Sequence, residues 1–188
     1  MVEELWQRFD EQGAPLQDKS TTKPEATSKG LLHGVAHVWM WRRGKNGPEI
    51  LVQQRGSDKR TWPDKLDVSA AGHIRFQEPP IVTACRETSE ELGVHVLPER
   101  LELFSVYRWN VRVDGTELLE NELQWLYLLE LSENKFRLPA GEVGAVVWKP
   151  LDQCRAEWTD PEQSQLYVPH GATYWALLLE ALELATQE

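Results

Sequence analysis

Apolar and polar positions change period along this chain in a way that separates strands from helices. In LLHGVAHVWMW, residues 31–41, His33, Val35, His37, Trp39 and Trp41 fall on one side at period two, with Val38 and Met40 on the other. Apolar groups on both faces mark an interior strand. RRGKNGPE is rich in turn residues, and ILVQQR reads as the returning strand. Upstream, LWQRF and APLQD flank the turn-forming DEQG, which predicts a hairpin within residues 1–18. KSTTKPEATSKG is polar and carries Pro and Gly, so residues 1–30 are expected to be a hairpin followed by a loop or linker. GSDKRTWPDK reads as a charged loop and LDVSAAGHI as a short strand running into Gly72. PPIVTACRETSEELG predicts a helix, because prolines are tolerated in a first turn and Gly93 suits the position just past a helix end. LELFSVYRWNVRV, ENELQWLYLLEL and EVGAVVWKP are three further strand candidates. A short helix is expected from Leu151 and a longer one over about 172–186, apolar around most of its circumference. Strand clusters alternating with helices predict an α/β chain, a mixed sheet flanked by helices, with residues 1–188 forming one domain.

The helix predicted over 79–92 has an unusual distribution of charge. At about 100° per residue, Ile81, Ala84, Cys85, Thr88 and Leu92 share a core-facing side, whereas Glu87, Glu90 and Glu91 fall together away from it. Like charges at i+3 and i+4 destabilise an isolated helix by about 0.2–0.5 kcal/mol per pair. Carboxylates at a helix C-terminus add a dipole penalty of roughly 0.3–1 kcal/mol each. Arg86, four residues before Glu90, offsets only part of this. A solvated acidic face is the plain explanation; a metal-binding face is the alternative.

Spacing favours the alternative. Gly72, Glu78, Arg86-Glu87, Glu90-Glu91 and Gly93 fall at G-x5-E-x7-R-E-U-x-E-E-x-G-U, where U is bulky and apolar. This resembles the Nudix box over residues 72–94, with one departure: Thr88 occupies the first U position. Thr88 lies on the core side of the wheel, where its methyl can pack and its hydroxyl can bond a backbone carbonyl. The resemblance implies a Nudix-type α/β/α sandwich that hydrolyses a nucleoside diphosphate-linked or other organic diphosphate, by water attack on phosphorus. It implies Mg²⁺, with Mn²⁺ as substitute, held by Glu87, Glu90 and Glu91. Mg²⁺ is hard, prefers oxygen and is commonly held by a few carboxylates, water and substrate phosphate. Arg86 would orient the carboxylates, Gly72 would permit close backbone approach, Glu78 would tie the loop to the helix start and Gly93 would end the helix. The general base would be Glu87, Glu90, Glu91 or a carboxylate from a later segment.

Outside the box, LLHGVAHVWMW, WPDKLDVSAAGHI and ENELQWLYLL resemble isopentenyl diphosphate isomerases and their Nudix relatives, over roughly residues 5–150. In those isomerases a His-and-Glu site binds metal and a cysteine and a glutamate move protons. His33, His73, Glu120 and Glu122 match positions of that site, so Glu122 is a further candidate metal ligand and the other three candidate substrate contacts. The expected cysteine before Gly-His is Ala71, and an expected histidine upstream falls near Ala26. Alanine transfers no proton, so the resemblance favours hydrolysis over isomerisation. A third reading is a module that binds a nucleotide or metabolite without turning it over; the intact run of acids argues against it.

Each candidate also has a plain structural role. His33 and His37 can bond core carbonyls, and an HxxxH zinc pair needs a helix rather than a strand. His73 can anchor a loop, and Glu142 reads as a turn residue before a strand. Trp62 or Trp109 could stack on a base, although most of the nine tryptophans should be packing. Cys85 reads as a small buried hydrophobe and, like Cys154, as a reduced thiol. A net charge of −10 disfavours a nucleic-acid polymer but not a small anion reached through a cation. The acidic start of the chain and the absence of a long apolar run predict a cytoplasmic protein without membrane contact. A homodimer is the family-level expectation.

Overall fold

The apolar run at 31–41 becomes the central strand of the molecule. The computed structural model describes residues 4–133, 135–139 and 141–187. In chain order its elements are β1 (Trp6–Phe9), β2 (Pro15–Thr21), α1 (Lys23–Lys29), β3 (His33–Gly44), β4 (Gly47–Arg55), β5 (Leu66–Asp67) and β6 (Ala70–His73). They continue with α2 (Pro80–Leu92), β7 (Glu102–Arg112), β8 (Leu119–Glu130), β9 (Val143–Pro150), α3 (Leu151–Thr159) and α4 (Ala172–Gln187). Along one edge β3 pairs in parallel with β8, from His33–Glu122 to Trp41–Glu130, and β8 pairs antiparallel with β7. Along its other edge β3 meets β1 at His33, β6 over Val35–Val38 and β4 over Met40–Gly44, all antiparallel. β9 extends the sheet beyond β4. One parallel pair among antiparallel ones makes the sheet mixed.

Alternation along β3 and β8 divides the interior. Trp39, Trp41, Leu126 and Leu128 pack against Leu151, Trp158, Trp175, Leu178 and Leu182 of α3 and α4. Val38, Met40, Tyr127 and Leu129 pack against Ala84 and Leu92 of α2 on the opposite face. The result is an α/β/α sandwich with an N-terminal hairpin. Asp10 Oδ1 closes that hairpin by accepting from the Gln12 and Ala14 amides at 2.9 and 2.8 Å. No helix among the described residues is long and apolar enough to cross a membrane.

Two segments differ from the sequence expectation. The polar stretch expected to be a linker contains helix α1. Thr22 caps it by accepting from the Glu25 amide at 3.4 Å, Glu25 pairs with Lys29 at 2.8 Å, and Gly30 ends it in the left-handed conformation at φ 60. Start and stop signals outweigh the helix-poor composition between them. The strand expected over LDVSAAGHI is split into β5 and β6. Asp67 turns its carboxylate back onto the Val68 amide at 2.8 Å. Ser69 then enters the fork where β3 leaves β4 for β6. Its hydroxyl accepts from Met40 N at 2.8 Å and donates to Leu51 O at 2.6 Å, bridging the two separating strands.

Candidate active site

The fork in the sheet lets α2 act on the far face. Gly72 lies on β6 where an added Cβ would fall inside the Glu87 carboxyl group. The missing side chain is the space through which Glu87 passes. Glu91, one turn on, enters beside it. Its Oε2 accepts from Ala71 N and from Gln53 Nε2, both at 3.1 Å, so β6 and β4 hold it from either side of the fork. The wheel sets Glu91 with Glu87 and Glu90 away from the core stripe; the fork gives that flank a buried surface of its own, and Glu91 is buried there. Thr88 packs on the core side, and its hydroxyl donates to Ala84 O at 2.8 Å.

Arg86 explains how the crowded acids coexist. Its guanidinium donates to Glu78 Oε2 at 3.0 Å, Glu90 Oε2 at 3.0 Å, the His73 carbonyl at 3.1 Å and the Glu87 carboxylate. Glu78 also accepts from Thr83 Oγ1 at 2.5 Å near the start of α2. Gly93 ends the helix at φ 70. Glu90 is half exposed at the mouth.

Glu87, Glu90, Glu91, Glu120 and Glu122 line one cleft of about 350 Å³, together with His73 and Gly72. Burial pushes Glu87 up to about 7 against the pull of Arg86. Burial, and then the charge of Glu87, push Glu91 up to about 8 despite its two hydrogen bonds. Burial, and then the charge of Glu120, do the same to Glu122, also to about 8. Such values mean that the acids share a low-dielectric space without enough positive charge, which a cation would supply.

His33, His73 and Glu122 bring ligand atoms to within 4.8 Å of one another. His33 Nε2 is buried without a hydrogen-bond partner and lies 3.9 Å from Glu122 Oε1, while Nδ1 bonds the Leu31 carbonyl at 2.8 Å. Burial lowers His33 to about 4 and His73 well below the usual range, so both rings are neutral. Trp6 stacks on His73 at 3.5 Å. Two neutral imidazoles and a carboxylate, one nitrogen otherwise unsatisfied, fit a divalent cation. The oxygen-only set on α2 suits Mg²⁺ or Mn²⁺, and the two imidazoles of this set favour a transition-metal ion over Mg²⁺.

Several lining residues carry no mark in the sequence pattern. Lys23, Arg55, Lys59 and Arg60 place positive charge on the same cleft. Arg55 donates to the Thr61 and Trp62 carbonyls at 3.1–3.3 Å and so braces the loop that carries Lys59, Arg60 and Trp62. The charged run GSDKRTWPDK was the available signal. Trp62 and Trp109 meet on the wall with ring centres 5.3 Å apart and planes tilted by 45°. Asp67, Gln53 and His170 also line the cleft. Glu142 is exposed at the rim. Neither free cysteine lines it: Cys154 is in the α3 core and Cys85 packs beside the α2 core, where burial raises its thiol.

A NUDIX domain model matches residues 32–169. Among similar proteins, Nudix hydrolase 3 of Arabidopsis thaliana is 29% identical over 155 residues, which is 80% of this chain but only 20% of that protein. The isopentenyl-diphosphate Delta-isomerase of Roseobacter denitrificans is 34% identical over 134 residues, 71% of this chain and 72% of the isomerase. The solved NUDIX domain of Shewanella oneidensis NrtR, in complex with ADP ribose, superposes with a TM-score of 0.58 at 18% identity, covering 81% of this chain and 88% of that one. At that identity the likeness concerns the fold.

Proposed function

The chain belongs to the Nudix family, and we propose that it is a divalent-metal-dependent hydrolase that cleaves the phosphoanhydride bond of a small organic diphosphate, a nucleoside diphosphate derivative being the leading class. One observation carries this reading. Glu87 and Glu91 cross from α2 through the gap at Gly72 and Ala71 into a cleft whose walls also hold Lys23, Arg55, Lys59 and Arg60. Carboxylates alone would repel a diphosphate, and lysines and arginines alone would only bind it. Together they suit a metal and its anionic substrate.

Glu87, Glu90 and Glu91, with Glu122, are the proposed Mg²⁺ ligands; His33 and His73 with Glu122 offer a second position. A bound ion neutralises diphosphate charge and lowers the pKa of a bound water. The protein's own residues supply the rest. Arg86 spaces the carboxylates, Gln53 and the Ala71 amide fix Glu91, and the basic loop holds the phosphates. Glu120, which lines the cleft with Lys23, is the proposed further substrate contact.

The His33–His73–Glu122 group favours a second reading, isomerisation of a prenyl diphosphate. Ala71 stands against it, because no thiol lines the cleft. The test is a panel including ADP-ribose, dinucleoside polyphosphates and isopentenyl diphosphate, with and without Mg²⁺ or Mn²⁺. Hydrolysis to phosphate monoesters that needs the ion and falls at least a hundredfold in Glu87→Gln is expected. Binding without turnover would establish a sensor, and a dimethylallyl product would establish an isomerase.

A further inference from the structure

One histidine on the cleft wall has no task in the reading above. His170 precedes α4 and is buried. Its Nε2 bonds Asp67 Oδ1 at 2.9 Å. Asp67 in turn accepts from Arg55 Nη1 at 2.8 Å and from the Val68 amide at 2.8 Å. Burial alone would push this carboxyl up, but the hydrogen bond from His170 and the charge of Arg55 hold it well below the usual range. An ionised Asp67 can only accept, so a neutral His170 carries its proton on Nε2 and leaves a lone pair on Nδ1. That Nδ1 is buried and has no hydrogen-bond partner.

Neighbouring aromatic rings hold the imidazole in place on the cleft wall. It stacks on Tyr174 at 4.4 Å and meets His37, Trp109 and Trp175 at 5.4–5.5 Å. The titratable or charged groups around it are His37 on β3, Arg55 on β4, Asp67 on β5, Tyr107 on β7 and Tyr174 on α4. Burial lowers His37 to about 3 and raises Tyr174 well above its usual range, so both are uncharged. The Tyr174 hydroxyl is occupied by His37 Nδ1 and Trp39 Nε1, each at 2.8 Å. Among the described residues, Asp67 is therefore the one anion bonded to the ring. A fixed imidazole with one nitrogen on a carboxylate and the other unpaired beside a reaction cleft is built to exchange a proton at the free nitrogen.

We propose that His170 is the proton donor to the departing phosphate, with Asp67 orienting its ring. This rests on the hydrolase reading. The water oxygen forms a bond to one phosphorus, and the bond from that phosphorus to the bridging oxygen breaks. The bridging oxygen leaves with the electron pair on the other phosphate and takes the Nδ1 proton. The water's proton passes through a cleft carboxylate to solvent, and His170 regains a proton from solvent.

The experiment uses two symmetrical diphosphates, so that the leaving group is the same whichever phosphorus is attacked. One is a dinucleoside diphosphate, whose leaving phosphate is basic. The other is bis(4-nitrophenyl) diphosphate, whose leaving phosphate is a weaker base and needs the proton less. His170→Asn should lower kcat on the first by about a hundredfold or more, with KM nearly unchanged, and lower it clearly less on the second. Asp67→Asn should lower kcat in the same order of substrates but by a smaller factor, because the ring is still present and no longer oriented. It also keeps the proposal testable if His170→Asn does not fold. Equal loss on both substrates in either variant, or a loss confined to KM, would overturn the assignment while leaving the hydrolase intact. A wild-type protein that hydrolyses no diphosphate would sink both.

Discussion

Gly72 shows how much one missing methyl group can decide. The Glu87 carboxyl occupies the volume that any other residue's Cβ would fill, so the demand here is for space and not for an unusual backbone angle. Gly72→Ala should therefore leave the fold intact but swing Glu87 aside and draw Arg86 with it. A displacement of about 1 Å at a reacting group costs on the order of a hundredfold. That loss should appear in kcat, with a thermal melt close to wild type; an active Gly72→Ala protein would show that Glu87 need not enter the cleft. At this scale the box residues were legible because their spacing is local: Gly72, Glu78, Arg86, Glu87 and Glu90 all lie within one strand-loop-helix unit. Glu91 was only half legible. A helical wheel assumes one core side, whereas the forked sheet presents a second buried surface to the flank of α2. Gln53, Asp67 and His170 were not legible, because residues separated by up to 103 positions meet only through the fold.

Elements were easier to foresee than their junctions. β3, β8 and α4 carry long apolar patterns that leave little choice of structure. Helix α1 was hidden because Thr, Ser, Pro and Lys dominate it, and its caps carry the information instead. The fork between β4 and β6 was hidden because no sequence period describes a strand that changes partner. Ser69 is the residue that makes the fork affordable. Fully buried, it replaces the ladder bonds that Met40 N and Leu51 O lose where the strands part. Ser69→Ala leaves both groups unpaired in the core. At about 1–3 kcal/mol for each unsatisfied group, the variant should lose roughly 2–6 kcal/mol in denaturant unfolding. A loss below about 0.5 kcal/mol would mean that the strands close the gap unaided.

Across the whole molecule, the buried ionisable groups set a pH dependence that a bound ion should alter. Glu87, Glu91 and Glu122 have folded values of about 7, 8 and 8 against an ordinary 4.5. Their contribution to stability is full below pH 4.5, where both states hold the protons, and is lost as pH rises through 7–8, because the unfolded chain ionises first. His33, His37 and His73 run the other way, with folded values of about 4, about 3 and well below 6.5. Being neutral when folded, they cost stability as pH falls below 6.5. Three groups of each kind oppose one another between pH 4.5 and 6.5, so stability there should be nearly flat. Above 6.5 the histidines are neutral in both states, and only the carboxylate loss remains. With about 1.4 kcal/mol per pH unit for each proton still held, melting in a chelator should fall by roughly 10–20 °C between pH 6.5 and 8.5. Millimolar Mg²⁺ or Mn²⁺ binds the ionised carboxylates of the folded state alone and should shrink or reverse that fall. Glu91→Gln should blunt the fall without any metal, since one of the three buried protons no longer titrates. Parallel melting curves with and without the ion would separate the acids of α2 from metal binding, and the repulsion stored among them would then need another purpose.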